Sequence, residues 1–167
     1  MKMKNLVIML LMFSAITVNA EISKVTLQVS GLTCSMCNLS VIKSLQKLPF
    51  IQDIQPDVET AIYIITFKTG ETVVLEDIKN AVKKSGFSVA QLIISTNFNN
   101  ITIPENGEIA SDSNTYFVIN GKNKKLNGRV ELKIVDKDFV SGKEFKNYKQ
   151  KVITSTAIRF FNVILLD

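Results

Sequence analysis

The sequence predicts an α+β protein: a β-α-β-β-α-β unit over residues 21–95, a linker or long surface loop at 96–114, and a small all-β domain over 115–167. Three observations predict it. Period-two strand alternation and helix-spaced apolar positions take turns through the first half. The composition becomes rich in Asn and Ser after Ser95, and beyond Asn114 strand-like runs separated by turn dipeptides dominate. An apolar content of 46% with 21% charged residues marks a folding chain rather than a disordered one.

Residues 1–20 stand apart from this fold. Lys2 and Lys4 precede an apolar stretch from Leu6 to Phe13, and small or polar residues follow up to Ala20. That order is a secretory signal peptide cleaved after Ala20. The stretch is shorter than the ~20 apolar residues a spanning helix needs, and no later run is long enough, so the mature chain is expected to be periplasmic or secreted without stable membrane insertion.

In the mature chain, Val25, Leu27 and Val29 alternate with polar residues through a first strand that ends at Gly31. Cys37, Val41, Leu45 and Leu48 then recur at helical spacing until Pro49 stops the helix. Ile51 and Ile54 open a second strand whose Pro56 suits a sheet edge. The β-branched run Ala61 to Lys68 is a third strand. Leu75, Ile78, Ala81 and Val82 define a second helix, with Lys83 and Lys84 facing its negative end and Gly86 at a left-handed C-cap. Ser88 to Ile94 completes the ferredoxin-like βαββαβ order.

The second half reads as strands at Thr115–Ile119, Arg129–Val135 and Ile158–Leu166, with turns at Asn120-Gly121 and Asn127-Gly128. Residues 137–148 fit a strand, a loop or a short helix. A partly open barrel of the OB type is the nearest architecture.

Composition narrows the chemistry. The chain has two Cys and no His, which excludes histidine-based catalytic units and imidazole metal ligands. Four of the five Met lie in the leader, so the soft sulfur ligands of the mature chain all fall within Cys34-Ser35-Met36-Cys37. Two cysteines three apart at a helix start direct both sulfurs to one point, where the helix dipole favours the thiolates. Two thiolates without a histidine or a nearby carboxylate suit a soft, low-coordinate ion, and copper(I) fits best. Zinc(II) would need ligands from a second molecule. The surplus of basic residues in the second half, eleven against eight, is too dispersed for nucleic acid.

The loop Gly31-Leu32-Thr33-Cys34-Ser35-Met36-Cys37 resembles the Gly-Met-Thr-Cys-x-x-Cys motif of heavy-metal-associated domains, which occur in copper chaperones, copper-transporting P-type ATPases and periplasmic mercury-binding proteins. The resemblance extends over residues 22–94 through Val41, Leu45, Leu48, Ile51, Ile54 and the Gly86-Phe87 pair. It implies Cys34 and Cys37 as metal ligands, with Gly31, Leu32, Thr33, Ser35, Met36 and Phe87 as the supporting loop. Leu32 would be the apolar plug, and Phe87 would pack beside the ion. It also implies mercury(II) as an alternative cargo and a metal-donor or metal-acceptor partner, such as a metal-transporting ATPase or efflux component. Leu32 replaces the usual Met, and Phe50 stands where the family commonly has Gly.

Other readings remain open from the residues. Exported cysteines commonly oxidise, so the pair suits a disulfide, and CxxC at a helix start also suits a thiol-disulfide oxidoreductase. Against the oxidoreductase, the βαββαβ order is not that of thioredoxin, and Trp is absent. A binding or sensor module regulated by metal or redox state is the alternative of another class. Met36 reads as a loop side chain, and Phe87 equally as core. Lys83 and Lys84, and the basic strip from Lys143 to Lys151, read as solvated charge. The sequons at Asn38 and Asn100 read as chance matches. No catalytic constellation is evident, and the expectation is a binding protein rather than an enzyme.

Overall fold

The computed structural model describes residues 21–111, 114–154 and 159–166; the proposed leader lies outside them. The first six elements follow the expected order: β1 (Ile22–Ser30), α1 (Ser35–Leu45), β2 (Ile51–Asp57), β3 (Ile62–Phe67), α2 (Leu75–Lys84) and β4 (Ser88–Thr102). Their strands lie in the antiparallel order β2-β3-β1-β4, so β1 is central, and Pro56 falls on the edge strand as expected. Val25, Leu27 and Val29 are buried with Val41 and Leu45 of α1, Ile78 and Val82 of α2, and Leu92 and Ile94 of β4. The alternation and the helical spacing thus converge on one core. Gly86 has φ +91 after the end of α2, the left-handed conformation expected there.

Phe50 is buried against this core, its ring centroid 6.1 Å from that of Phe67. It closes the connection between α1 and β2, where its carbonyl accepts from the Lys68 N–H at 3.0 Å. A side chain that glycine lacks therefore fills the bottom of the sheet here.

The second half departs from the sequence reading. Residues 96–102 are not linker but the continuation of β4, which runs fifteen residues. Thr96 and Phe98 are buried while Asn97 and Asn99 are exposed, so the Asn-rich composition is the outer face of a strand. Further along, β5 (Glu108–Ala110), β6 (Thr115–Val118), β7 (Lys125–Ile134), α3 (Gly142–Tyr148) and β8 (Phe160–Leu166) follow. These strands do not form an OB-like barrel. They extend the first sheet into one of eight strands, β2-β3-β1-β4-β7-β8-β6-β5, open at β2 and β5. The physical cause is β4, which pairs with β1 along one edge from Ser88 to Thr96 and with β7 along the other from Ile93 to Thr102. A strand edge left with unpaired N–H and C=O groups recruits another strand, and here that strand is β7.

Asn127-Gly128 is not a turn but lies inside β7, opposite a bulge of β4 whose Asn100 has φ +48. The turn at Asn120-Gly121 does separate β6 from β7. Residues 142–148 resolve as a short helix because Ser141 caps it, its hydroxyl accepting from the Glu144 N–H at 3.2 Å. Tyr116, Phe161 and Phe139 make the aromatic centre of this half and belong to the same hydrophobic cluster as β1 and α2.

Candidate metal centre

The loop between β1 and α1 carries the site, and its geometry follows from three local features. Gly31 has φ +86, a conformation that side-chain-bearing residues rarely adopt, and this turns the chain out of β1. Leu32 then folds back against the core, against which the half-buried Phe87 also packs. Finally Cys34 takes an extended conformation as the N-cap of α1, with its carbonyl accepting from the Cys37 and Asn38 N–H groups at 3.1 and 3.3 Å.

Cys34 and Cys37 are joined in a disulfide, with their Cα atoms 5.2 Å apart. The structure therefore brings the two predicted ligands together in their oxidised form. Cys34 is exposed and Cys37 partly buried, and the Cys37 N–H donates to Cys34 Sγ at 3.2 Å. A sulfur in this position lies where the open N–H groups of the helix favour negative charge once the bond is reduced. The first turn of α1 contains no acidic residue to oppose that charge.

The remaining loop residues divide. Thr33, Ser35 and Met36 face solvent, and Met36 is 73% exposed, so its thioether lies outside the packed part of the loop. Phe87 contacts the space above Gly31, where a Cβ would meet its ring at 3.8 Å. Lys83 pairs with Asp138 of the second half at 3.1 Å, while Lys84 lines a groove of about 700 Å³ between the two helices with Lys43 and Lys47. No cluster of three or more His, Cys, Asp or Glu residues occurs among the described residues. The side-chain sulfurs that the loop brings together are those of Cys34 and Cys37, and two sulfurs suit an ion of low coordination.

Tyr63 was not singled out by sequence, and Asn38 was noted there only as a chance sequon. Asn38 sits in the first turn of α1 and is buried, its Nδ2 donating to the Cys34 carbonyl at 3.3 Å. Tyr63, fully buried on β3, donates its hydroxyl to Asn38 Oδ1 at 2.5 Å. Burial also pushes the Tyr63 hydroxyl above its ordinary pKa, which keeps the donated proton in place. The available signal was polarity out of register: Asn38 lies three residues before Val41 on the buried stripe of the helix, and Tyr63 carries a hydroxyl into an inward row of β3 otherwise made of Ile65 and Phe67. Burial and hydrogen bonding of Asn38 agree with reading its sequon as a chance match.

Residues 26–88 match the family model of the heavy-metal-associated domain. Oxidised MerP from Ralstonia metallidurans CH34 is 30% identical over 41% of this chain and 97% of that one, with a TM-score of 0.37. The CopZ metallochaperone is 20% identical over 41% of this chain and 100% of its own, at 0.38. For the N-terminal domain of PacS from Synechocystis PCC6803 the figures are 21%, 40%, 91% and 0.34. No curated protein matches the chain. Through residues 26–88 the chain belongs to the heavy-metal-associated domain family.

Proposed function

We propose that this chain is an exported carrier of a soft metal ion, with copper(I) as its cargo, held by the Cys34 and Cys37 thiolates. The observation that carries the reading is the convergence of two sulfurs, on the exposed Cys34 and the partly buried Cys37, at the N-terminus of α1. Membership in the heavy-metal-associated family supports soft-metal binding. Mercury(II) is the alternative cargo, and zinc(II) would require donors from a partner.

The cargo binds the reduced pair, so a dithiol reductant must first supply two electrons and two protons to the disulfide, becoming a disulfide itself. Transfer then proceeds by ligand exchange. A partner thiolate bonds to the two-coordinate ion, a three-coordinate state forms, and the bonds to Cys34 and Cys37 break in turn as the ion passes to the partner's sulfurs. No electron changes hands in the exchange. The partner is a metal donor or acceptor, such as a transporting ATPase or an efflux component, and sequestration is the outcome where none is present. The leader at residues 1–20 supports export to the periplasm or beyond. No helix among the described residues is long and apolar enough to cross a membrane. The role is binding and transfer rather than catalysis.

Titration of the reduced protein with copper(I), zinc(II) and mercury(II) against a calibrated chelator tests this reading. Tight copper(I) binding that disappears in the Cys34→Ser/Cys37→Ser variant is expected, and equal affinity in that variant would sink the ligand assignment. The observed disulfide gives the oxidoreductase reading a footing of its own, and catalytic turnover of a disulfide substrate by the metal-free protein would favour it.

A further inference from the structure

We infer that Tyr63 and Asn38 are positioning residues for the two sulfurs, acting as a hydrogen-bonded chain that runs from the buried face of β3 to the backbone of Cys34. The inference rests on the proposed metal site for its consequence, but its geometry is independent of any metal. Cys34 O can only accept, so the Asn38 amide must turn Nδ2 toward it, and that leaves Oδ1 facing inward. Tyr63 meets that oxygen at 2.5 Å from a side chain with no exposed surface. Donation into Oδ1 polarises the amide and strengthens its outer hydrogen bond to Cys34.

The Cys34 carbonyl consequently receives three donors: the N–H groups of Cys37 and Asn38 and the Asn38 side chain. Two of these belong to any helix start; the third ties the N-cap residue to the sheet. The chain touches backbone and not sulfur, so it persists when the disulfide opens. Its effect is to keep Cys34 Sγ near Cys37 Sγ in the reduced protein. Two groups held in place react with a common partner at a high effective concentration, whereas a frayed N-cap loses that advantage.

Disulfide closure and bidentate capture of an ion both depend on this nearness. Loosening the loop therefore weakens both by a similar factor, an outcome that distinguishes positioning from general stability. Tyr63→Phe removes only the hydroxyl. Asn38→Ala removes both links, and Asn38→Asp keeps an acceptor for Tyr63 while losing the donor to Cys34.

The experiment measures the reduction potential of the Cys34–Cys37 disulfide in the metal-free, full-length mature protein by equilibration with glutathione or dithiothreitol. It runs on wild type, the three single variants and the Tyr63→Phe/Asn38→Ala double variant, with circular dichroism confirming the fold of each. We expect Asn38→Ala and Asn38→Asp to make the disulfide roughly tenfold easier to reduce, about 30 mV. Tyr63→Phe is expected to give a smaller shift in the wild-type background and none beyond that of Asn38→Ala in the double variant, because it acts through Asn38. Copper(I) affinity of the reduced proteins should fall by the same factors. Folded variants with unchanged potential, or a Tyr63→Phe effect that is fully additive, overturn the positioning role. Failure of wild type to bind copper(I), with the potentials still shifted, overturns the proposed cargo and leaves the positioning role intact.

Discussion

Leu132 provides a direct test of whether the two halves are one folding unit. It has no exposed surface and stands in β7 opposite Ile94 of β4 on one side and Leu165 of β8 on the other. Leu132→Ala removes three carbon atoms from the place where the first half meets the second. A buried Leu→Ala change costs about 2–5 kcal/mol, depending on how far the surroundings collapse. Neighbours on two paired strands restrict collapse, so a cost of about 3 kcal/mol is expected, which for a chain of this size lowers Tm by roughly 6–12 °C. The informative part is where the loss appears. Hydrogen exchange followed by mass spectrometry reads peptides from β1 and β3 separately from those of β8. With β4 shared, the slowest amides of β1 and β3 should lose the same free energy as those of β8, although they lie two and three strands from the mutation's own strand. Unchanged protection in β1 and β3 beside weakened protection in β8 would show two independent domains and refute the single-sheet account.

Gly31→Ala should destabilise the protein by about 1–2 kcal/mol, because the residue keeps φ +86 and the added Cβ meets Phe87 only at ordinary contact distance. Thermal melts measure that cost, and a copper(I) titration of the reduced variant should show weaker binding as the loop relaxes. Asp136 is half-buried with both oxygens accepting from Asn162, and its partial burial raises its pKa overall. The folded state therefore holds a proton that the unfolded state has lost between the ordinary and the raised values, so this group's contribution falls as pH rises through that window. Denaturation at a series of pH values should show this fall in wild type relative to Asp136→Asn; an identical pH dependence in the two proteins would count against it.

How much could be read in the sequence follows the range of the interactions involved. Val25, Leu27 and Val29, or Leu75, Ile78 and Val82, advertise their elements because burial on one face imposes a local period. The cysteine loop was equally legible, since Gly31, the N-cap position and the CxxC spacing all lie within seven residues. By contrast, Asn97, Asn99 and Asn100 resemble loop composition, and only pairing with residues about thirty positions later makes them strand. The same holds for Asn127-Gly128, a hairpin signal that becomes part of a bulged strand when β4 is its neighbour. Asn38 and Tyr63 are 25 residues apart, so nothing local to either one pointed to the hydrogen bond that the fold makes between them.

Sharing β4 also changes what the second half is to the metal loop. Phe87, which packs beside Gly31, lies between the end of α2 and the start of β4, and residues of the second half hold both of those flanks. Asp138 pairs with Lys83 on the last turn of α2, and the Ser141 N–H donates to the carbonyl of Ala90 at 3.1 Å. The exposed ion pair alone contributes little. Phe139, buried between these two contacts with Lys79 4.7 Å above its ring, supplies the apolar anchor that makes the segment a brace. β7 meets β4 only from Ile93 onward, so the start of the strand is held by the Ser141 contact rather than by β7, and Cys34 in the loop beside it stays exposed. A separate domain on a linker would give the loop the same access but no support. The continuous sheet gives it both, with the 136–141 segment reaching back to steady the residues on which Phe87 is mounted.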